Sequence, residues 1–349
     1  FRSFYHCLPS PVQGLISLCR IVLRWRFRKL QKPQWFSGES AVFLCSYFIH
    51  LDPESCARGH FYSRQWEVLP KYLHDNGRRT NWIQHFLFSP AVPDTQTGLA
   101  WLLQFNLDAN RQGHHIFLDA YLTWSNLVRA LKNWFWLNTV SSRLRGIQSA
   151  FYPDGSAAWL WPLLRGDWLT SLKGPAALRN CLWLSLFDAA LKDIPHQGTG
   201  LYLCENQGWE RAFLHAWRKH GHGEIIGVAH ATVPFWHMYY FDDPRSFNPE
   251  QVCAMPLPDR LAVNGMAAWN TFAEAGFPVE QLTEVEALRY LNLSGIAKKR
   301  ELVSAKRCKV KPLVSEFPKL NILILGEMIP ESMNHFLRLL EGTIQLLPL

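Results

Sequence analysis

From residue 200 onward the chain alternates short apolar runs with amphipathic stretches of helical period, and that alternation admits few folds. "GLYLCEN" (200–206) is an apolar run of strand length. In 208–220, Trp209, Ala212, Phe213, Ala216 and Trp217 recur at the spacing of one helix face. "EIIGVAH" (224–230) and "DRLAVNG" (259–265) are further strands, and helix 266–275 has Trp269, Phe272 and Ala273 on one side and Gly276 as its stop. "QLTEVEALRY" (281–290) reads as a short last strand or a turn. Strands separated by helices of this length cannot pair as hairpins. They form right-handed βαβ units and a parallel sheet.

Upstream the signal is weaker but of the same kind. "AVFLCSYFIHL" (41–51) reads as a buried strand ended by the turn "DPES", and "NWIQHFLFSP" (81–90) as another. Residues 62–74 and 99–110 read as helices. "HHIFLDAYLTW" (114–124) either opens as a short strand or enters a helix that continues to about 137. Between 138 and 199 only a helix near 175–192 stands out. The fold class is therefore α/β, a Rossmann-like parallel-sheet domain over 41–295. After it, "KLNILILGEMIPESMNHFLRLLEGTIQLL" again reads strand, turn, helix, as the first βα unit of a second Rossmann-like domain over 320–349.

Charge separates these parts. Of the net +8, residues 20–32 and 296–319 carry +6 each, so the rest of the chain is −4. The basic charge lies in a lead-in (1–40) and a linker (296–319), not on the body, which argues against a nucleic-acid partner. In the lead-in, Leu15, Leu18, Ile21, Val22 and Trp25 fall at helical spacing beside the Arg/Lys cluster. Residues 15–32 could thus lie on an anionic membrane, the plainer alternative being a helix docked on the body. No apolar run is long enough to span a bilayer. The eight Cys are scattered without a C-x-x-C pair, which reads as free thiols in a reducing compartment. The chain opens on Phe1 and closes on "GTIQLLPL", and we read it as a piece of a longer protein.

In an open α/β sheet ligands bind beyond the carboxyl ends of the strands, where helix N-termini offer free N–H groups. The residues falling there are Glu205, Asn206 and Gln207, then His230 and Thr232, then Asn264 and Gly265, then Glu286 and Arg289. Glu205 and Glu210 are candidates for general acid/base work, although an acid in a first helical turn is also ordinary dipole and cap chemistry. His230 could shuttle a proton or meet a phosphate, or be a satisfied core imidazole. Trp236 and Trp209 could stack on sugar rings, with core packing an equal alternative for Trp209. His114 and His115 point apart in any regular element, and His215 and His220 do not share a helix face, so no metal site is expected. Dinucleotide, Walker A and G-x-S-x-G motifs are absent from the sequence.

The run "YLCENQGWERAFLHAWRKHG…IIGVAHATVPFWHMYYFDDPR…PLPDRLAVNG…AGFP…VEALRYL", with "FLCSYFIHLDPES" and "LDAYLTW" upstream, resembles a family of bacterial surface-carbohydrate biosynthesis proteins. The likeness covers most of 40–295 and is densest at 200–291. The family is similar to GT-B glycosyltransferases, in which two Rossmann-like domains face across a cleft, and to enzymes that transfer Kdo from CMP-Kdo. The resemblance implies an acceptor-side domain up to about 295 and a donor-nucleotide domain beginning after 320. It implies transfer of a sugar from a nucleotide-sugar donor to a polysaccharide or lipopolysaccharide acceptor, in bacterial cytoplasm at the inner membrane, with no further cofactor or metal. Glu205 or Glu210 would act as acid/base and His230 as phosphate or proton partner. Asn206, Thr232, Trp236, Asn264, Gly265, Glu286 and Arg289 would contact substrate. Two other readings stay open: a non-catalytic glycan-binding module, and a phosphotransferase using a CDP-alcohol to make a polyol-phosphate polymer.

Overall fold

The computed structural model describes residues 5, 7–22, 27, 30–107, 113–144, 146–152, 159–229, 233, 240, 242–288 and 330–344. Two compact units divide the chain, Phe1–Ser294 and Gly295–Leu349. In the second unit the described element is one helix, Pro330–Ile344. The strand expected near 320, and the basic linker before it, lie outside the described residues.

The first unit is a Rossmann-like α/β domain. Its seven strands are β1 (Ala41–Phe48), β2 (Arg79–Phe86), β3 (Gly113–Phe117), β4 (Thr199–Leu203), β5 (Glu224–Val228), β6 (Arg260–Val263) and β7 (Leu282–Glu284). They form one sheet in the order β3-β2-β1-β4-β5-β6-β7, and every pairing is parallel. The chain starts in the middle of the sheet, builds outward through β2 and β3, then returns to the other side of β1. The switch point therefore lies between β1 and β4.

Around the sheet run α1 (Ser10–Val22), α2 (Pro53–Ala57), α3 (Leu69–Asp75), α4 (Thr95–Leu107), α5 (Trp124–Arg143), α6 (Trp161–Leu172), α7 (Pro175–Asp193), α8 (Gly208–Lys219) and α9 (Met266–Glu274). The helix expected over 62–74 shrinks to α3. Residues before it are held by turns, with Trp66 N–H and Glu67 N–H both donating to the Ser63 carbonyl and Glu67 at positive φ. The last strand covers only 282–284 of the expected 281–290. The ambiguous 114–124 resolves as β3, a 3-10 turn at Leu118–Tyr121, and then α5, which runs to 143 instead of 137. Thr123 caps α5 by accepting the Asn126 N–H.

β1 is covered on both faces, which explains its unbroken apolar reading. Phe43 and Cys45 join the cluster containing Leu182 and Phe187 of α7 and Phe213 and Trp217 of α8. Val42 and Leu44 pack with Trp66 and Trp82 on the other face, and Phe48 joins Phe27 and Phe117. At the amino edge a buried polar knot ties distant segments. The Asn81 amide donates to Phe36 O and Gln197 Oε1, both at 2.9 Å, and Phe36 N–H donates back to Asn81. On the surface of α7, Asp188 accepts from Arg129 of α5 and from Lys219 and His220 at the end of α8.

The lead-in belongs to this body. Gly14 of α1 lies against Gly174, where a Cβ would come within 3.3 Å of the Gly174 backbone. Leu18 is buried, and Ile21 and Val22 pack on the main core. Leu18, Ile21 and Val22 of the stripe expected to face a membrane over 15–32 are thus turned inward, Leu15 is exposed, and Trp25 lies outside the described residues. Among the described residues no helix is long and apolar enough to cross a membrane.

Candidate functional site

Two places on the carboxyl rim are built from the residues that end the strands. The first is the β4–α8 turn. Asn206 takes a positive φ of 55° there, a conformation asparagine tolerates better than most residues. Glu210 is 2% exposed, and its Oε1 accepts the N–H groups of both Glu205 and Gln207 at 2.9 Å, closing a capping box at the start of α8. Burial raises its pKa to about 7, while those two backbone donors pull the other way. Glu210 is thus the helix cap, and its carboxylate is sealed from any ligand. Beside it Arg211 and Asp242 pair at 2.8 Å, and the Asn206 amide donates to the same carboxylate at 3.1 Å. The cavity against this network holds about 20 Å³, the room of a single water.

Glu205 is half-buried at this turn, Asn264 and Gly265 stand at the end of β6, and Glu286 is exposed after β7. Gly265 has φ 101°, which a side chain would strain as the chain enters α9. The parallel register places all of these on one edge of the sheet. Hydrogen bonds tie Glu205 and Gln207 to Glu210, and Asn206 to Asp242 and Arg211. His230, Thr232, Trp236 and Arg289 lie outside the described residues. Trp209 is buried at the centre of the core, its N–H donating to the Tyr47 hydroxyl at 2.6 Å, so it is no sugar platform. His114 stacks on Phe36 and His115 on Trp82, so the adjacent imidazoles face opposite sides of β3.

Replacing Glu210 tests the cap. Glu210→Gln keeps the accepting oxygen and should change stability at neutral pH by less than about 1 kcal/mol. Glu210→Ala strands two N–H groups and should cost about 1–3 kcal/mol. Thermal unfolding of both variants checks this, and equal losses would refute the assignment.

The second place is larger and lies on the other side of the switch point. An open cleft of about 260 Å³ is lined by Tyr47 at the end of β1, His85 and Leu87 at the end of β2, and Asp119 after β3. α1 contributes Arg20 and Ser17, and α7 contributes Arg179 and Trp183. This volume is near the lower end for small-ligand sites. Arg179 lies over the Trp183 ring at 5.5 Å. Two arginines, a nearly buried aspartate, a tyrosine and a tryptophan line the same space. Guanidinium groups suit phosphate or carboxylate, carboxylate and hydroxyls suit sugar hydroxyls, and an indole suits the apolar face of a ring.

His85 forms part of the floor. It is buried among Trp209, Trp183 and Phe187, and its Nε2 finds no hydrogen-bond partner among the described residues. Burial pushes its pKa down to about 3, so it is a neutral imidazole at physiological pH. Burial raises the Tyr47 hydroxyl pKa, so it stays protonated.

The polar residues that the sequence marks most densely lie on the rim of β4 to β7. The same strand-end rule applied to β1, β2 and β3 points to Tyr47, His85 and Asp119. Arg20 and Arg179 carry no such signal, because they reach the cleft from helices and not from strand ends, through packing that no local run specifies.

Fold and cleft together define a doubly wound, Rossmann-type α/β protein with an arginine-lined cleft beside its switch point. No family model matches the chain, and no curated protein or solved structure does either.

Proposed function

We propose that the chain is part of a glycosyltransferase of bacterial surface-carbohydrate assembly, moving a sugar from a nucleotide-sugar donor, with CMP-Kdo among the candidates, to a polysaccharide or lipopolysaccharide acceptor. The observation that supports this reading most is the cleft of Arg20, Arg179, Asp119, Tyr47 and Trp183 at the carboxyl ends of β1 to β3. Sugar transfer needs cationic groups for an anionic substituent or departing phosphate, hydrogen-bonding groups for hydroxyls, and a carboxylate for proton transfer. In this reading Glu205 at the end of β4 does the acid/base work and Asp119 of the cleft binds hydroxyls.

Transfer assays on the full-length protein with CMP-Kdo and other nucleotide sugars test this. Arg179→Glu should reduce turnover or acceptor binding by about tenfold or more through lost charge-assisted bonds. Glu205→Gln should reduce turnover by about 10²-fold or more. Glycan binding with no turnover of any nucleotide sugar would favour the non-catalytic module, and turnover of a CDP-alcohol would favour the phosphotransferase. Turnover unchanged in both variants would remove the residue assignments.

A further inference from the structure

α5 has two unlike faces. Asn126, Leu127, Ala130, Trp134 and Ser141 are buried, with Trp134 N–H donating to Lys173 O, and Arg129 reaching Asp188 on α7. The outward face carries large apolar side chains beside Ser125, Thr139, Ser142 and two cations, and no acid. Trp124, Phe135 and Trp136 are 68%, 71% and 66% exposed, and Val128 lies between them. At 100° per residue these four share one sector of the helix with Lys132 and Arg143. The helix contains no Asp or Glu anywhere in "WSNLVRALKNWFWLNTVSSR". Beyond its end Tyr152 and Trp159 stack at 6.2 Å, both largely exposed. So many large rings in water along one stripe mark a contact surface.

We propose that this face of α5 rests on an anionic membrane surface. Indole and phenol rings partition to the headgroup level, where an apolar ring and a polar N–H or O–H are both satisfied. Lys132 and Arg143 lie among the rings and are drawn to acidic headgroups. Trp124 and Trp136 are about 18 Å apart along the helix, so the stripe is a long convex contact and not a knob for one pocket. A protein groove would have to supply acids in register with both cations. An acidic bilayer offers negative charge at every point along the stripe. The surface is distinct from the 15–32 segment, whose Leu18, Ile21 and Val22 pack on the core. The inference is independent of the sugar-transfer reading.

Flotation of the full chain with vesicles tests it, comparing phosphatidylcholine alone with an equal mixture of phosphatidylcholine and phosphatidylglycerol. The chain should float with the anionic vesicles only, less well in high salt. Phe135→Ser/Trp136→Ser and, separately, Lys132→Glu/Arg143→Glu should each weaken vesicle binding by about tenfold or more. Because all four side chains lie on the outward face, both variants should keep the wild-type thermal midpoint. The proposal fails if the wild-type chain does not float with anionic vesicles. It also fails if both variants float as the wild type does, which would assign any membrane contact elsewhere. Self-association by sedimentation velocity that Phe135→Ser/Trp136→Ser abolishes, without vesicle binding, would make the face an interface between copies. Sugar transfer to a soluble acceptor should be unaffected in either variant, so this test and that of the enzymatic reading fail separately.

Discussion

Replacing Trp217 with alanine should lower the unfolding free energy by about 3–5 kcal/mol, the range for a large aromatic removed from a close-packed core. Trp217 is fully buried on α8, its ring 5.2 Å from Phe43 of β1, 5.6 Å from Phe213 and 4.6 Å from His222. The ring also fills the space that a Cβ on Gly200 of β4 would enter, at 2.7 Å. Its N–H donates to the Gly223 carbonyl at 2.8 Å. Gly223 cannot move to compensate, because its own N–H is bound to Gln197 O and a Cβ there would lie 2.2 Å from the Gly198 carbonyl oxygen. The cavity therefore stays largely open and the carbonyl loses its donor. Trp217→Phe keeps most of the ring contacts and should lose less than half as much. Urea unfolding followed by circular dichroism measures both. A loss under about 1 kcal/mol for Trp217→Ala would mean that α8 is not fixed by this contact.

Acidification from pH 7 to pH 5 should destabilise the domain through His85 and His115, by about 4 kcal/mol for the pair. Both are buried, and desolvation lowers each pKa from 6.5 to about 3. For His115 the neighbouring His114 adds to this, and Gln84 binds its Nδ1 at 3.0 Å. Below pH 6.5 the unfolded chain binds protons that the native imidazoles refuse, so stability falls as pH falls. His114 and His222 shift in the same direction. Glu210 opposes them. Its native pKa of about 7 lies above 4.5, so between those values the native state holds a proton that the unfolded chain has released. That stabilises the fold on acidification by about 2 kcal/mol over the same range. From His85, His115 and Glu210 alone the wild type should therefore lose about 2 kcal/mol between pH 7 and pH 5, with His114 and His222 adding to the loss, and Glu210→Gln should lose about 2 kcal/mol more than the wild type. Urea midpoints at the two pH values decide the matter. A variant whose pH dependence matches the wild type would show that Glu210 does not titrate in this window.

The architecture was legible where burial makes a strand uniformly apolar and a helix face periodic. β4, α8, β5 and β6 were readable within two residues at most of their ends, since one helix covering one parallel strand imposes both patterns at once. The connections were harder. Residues 62–68 carry Trp66 at a helix-like spacing, yet that ring is buried as a turn residue whose N–H donates to Ser46 at 2.8 Å. Segment 138–199 showed α7 near 175–192 but hid α6, which has no buried residue and so leaves no stripe to detect.

At the candidate sites the division is sharper. Position alone identified Glu205, Asn206 and Glu210 as rim residues, because a strand end followed by a helix start is a local property. Their roles were not local. Whether Glu210 meets a ligand or two N–H groups depends on how the backbone of 205–207 turns. The cleft depends on Arg20, Arg179, His85 and Asp119 converging from segments up to about 160 residues apart. The amino-acid sequence by itself determined the alternation of strand and helix, and hence a parallel sheet, because side-chain period follows directly from backbone geometry. Only the tertiary structure decided which rim opens into a cleft and which is sealed by its own cap. Convergence of side chains depends on strand order and helix packing, and neither is written in any local run of residues.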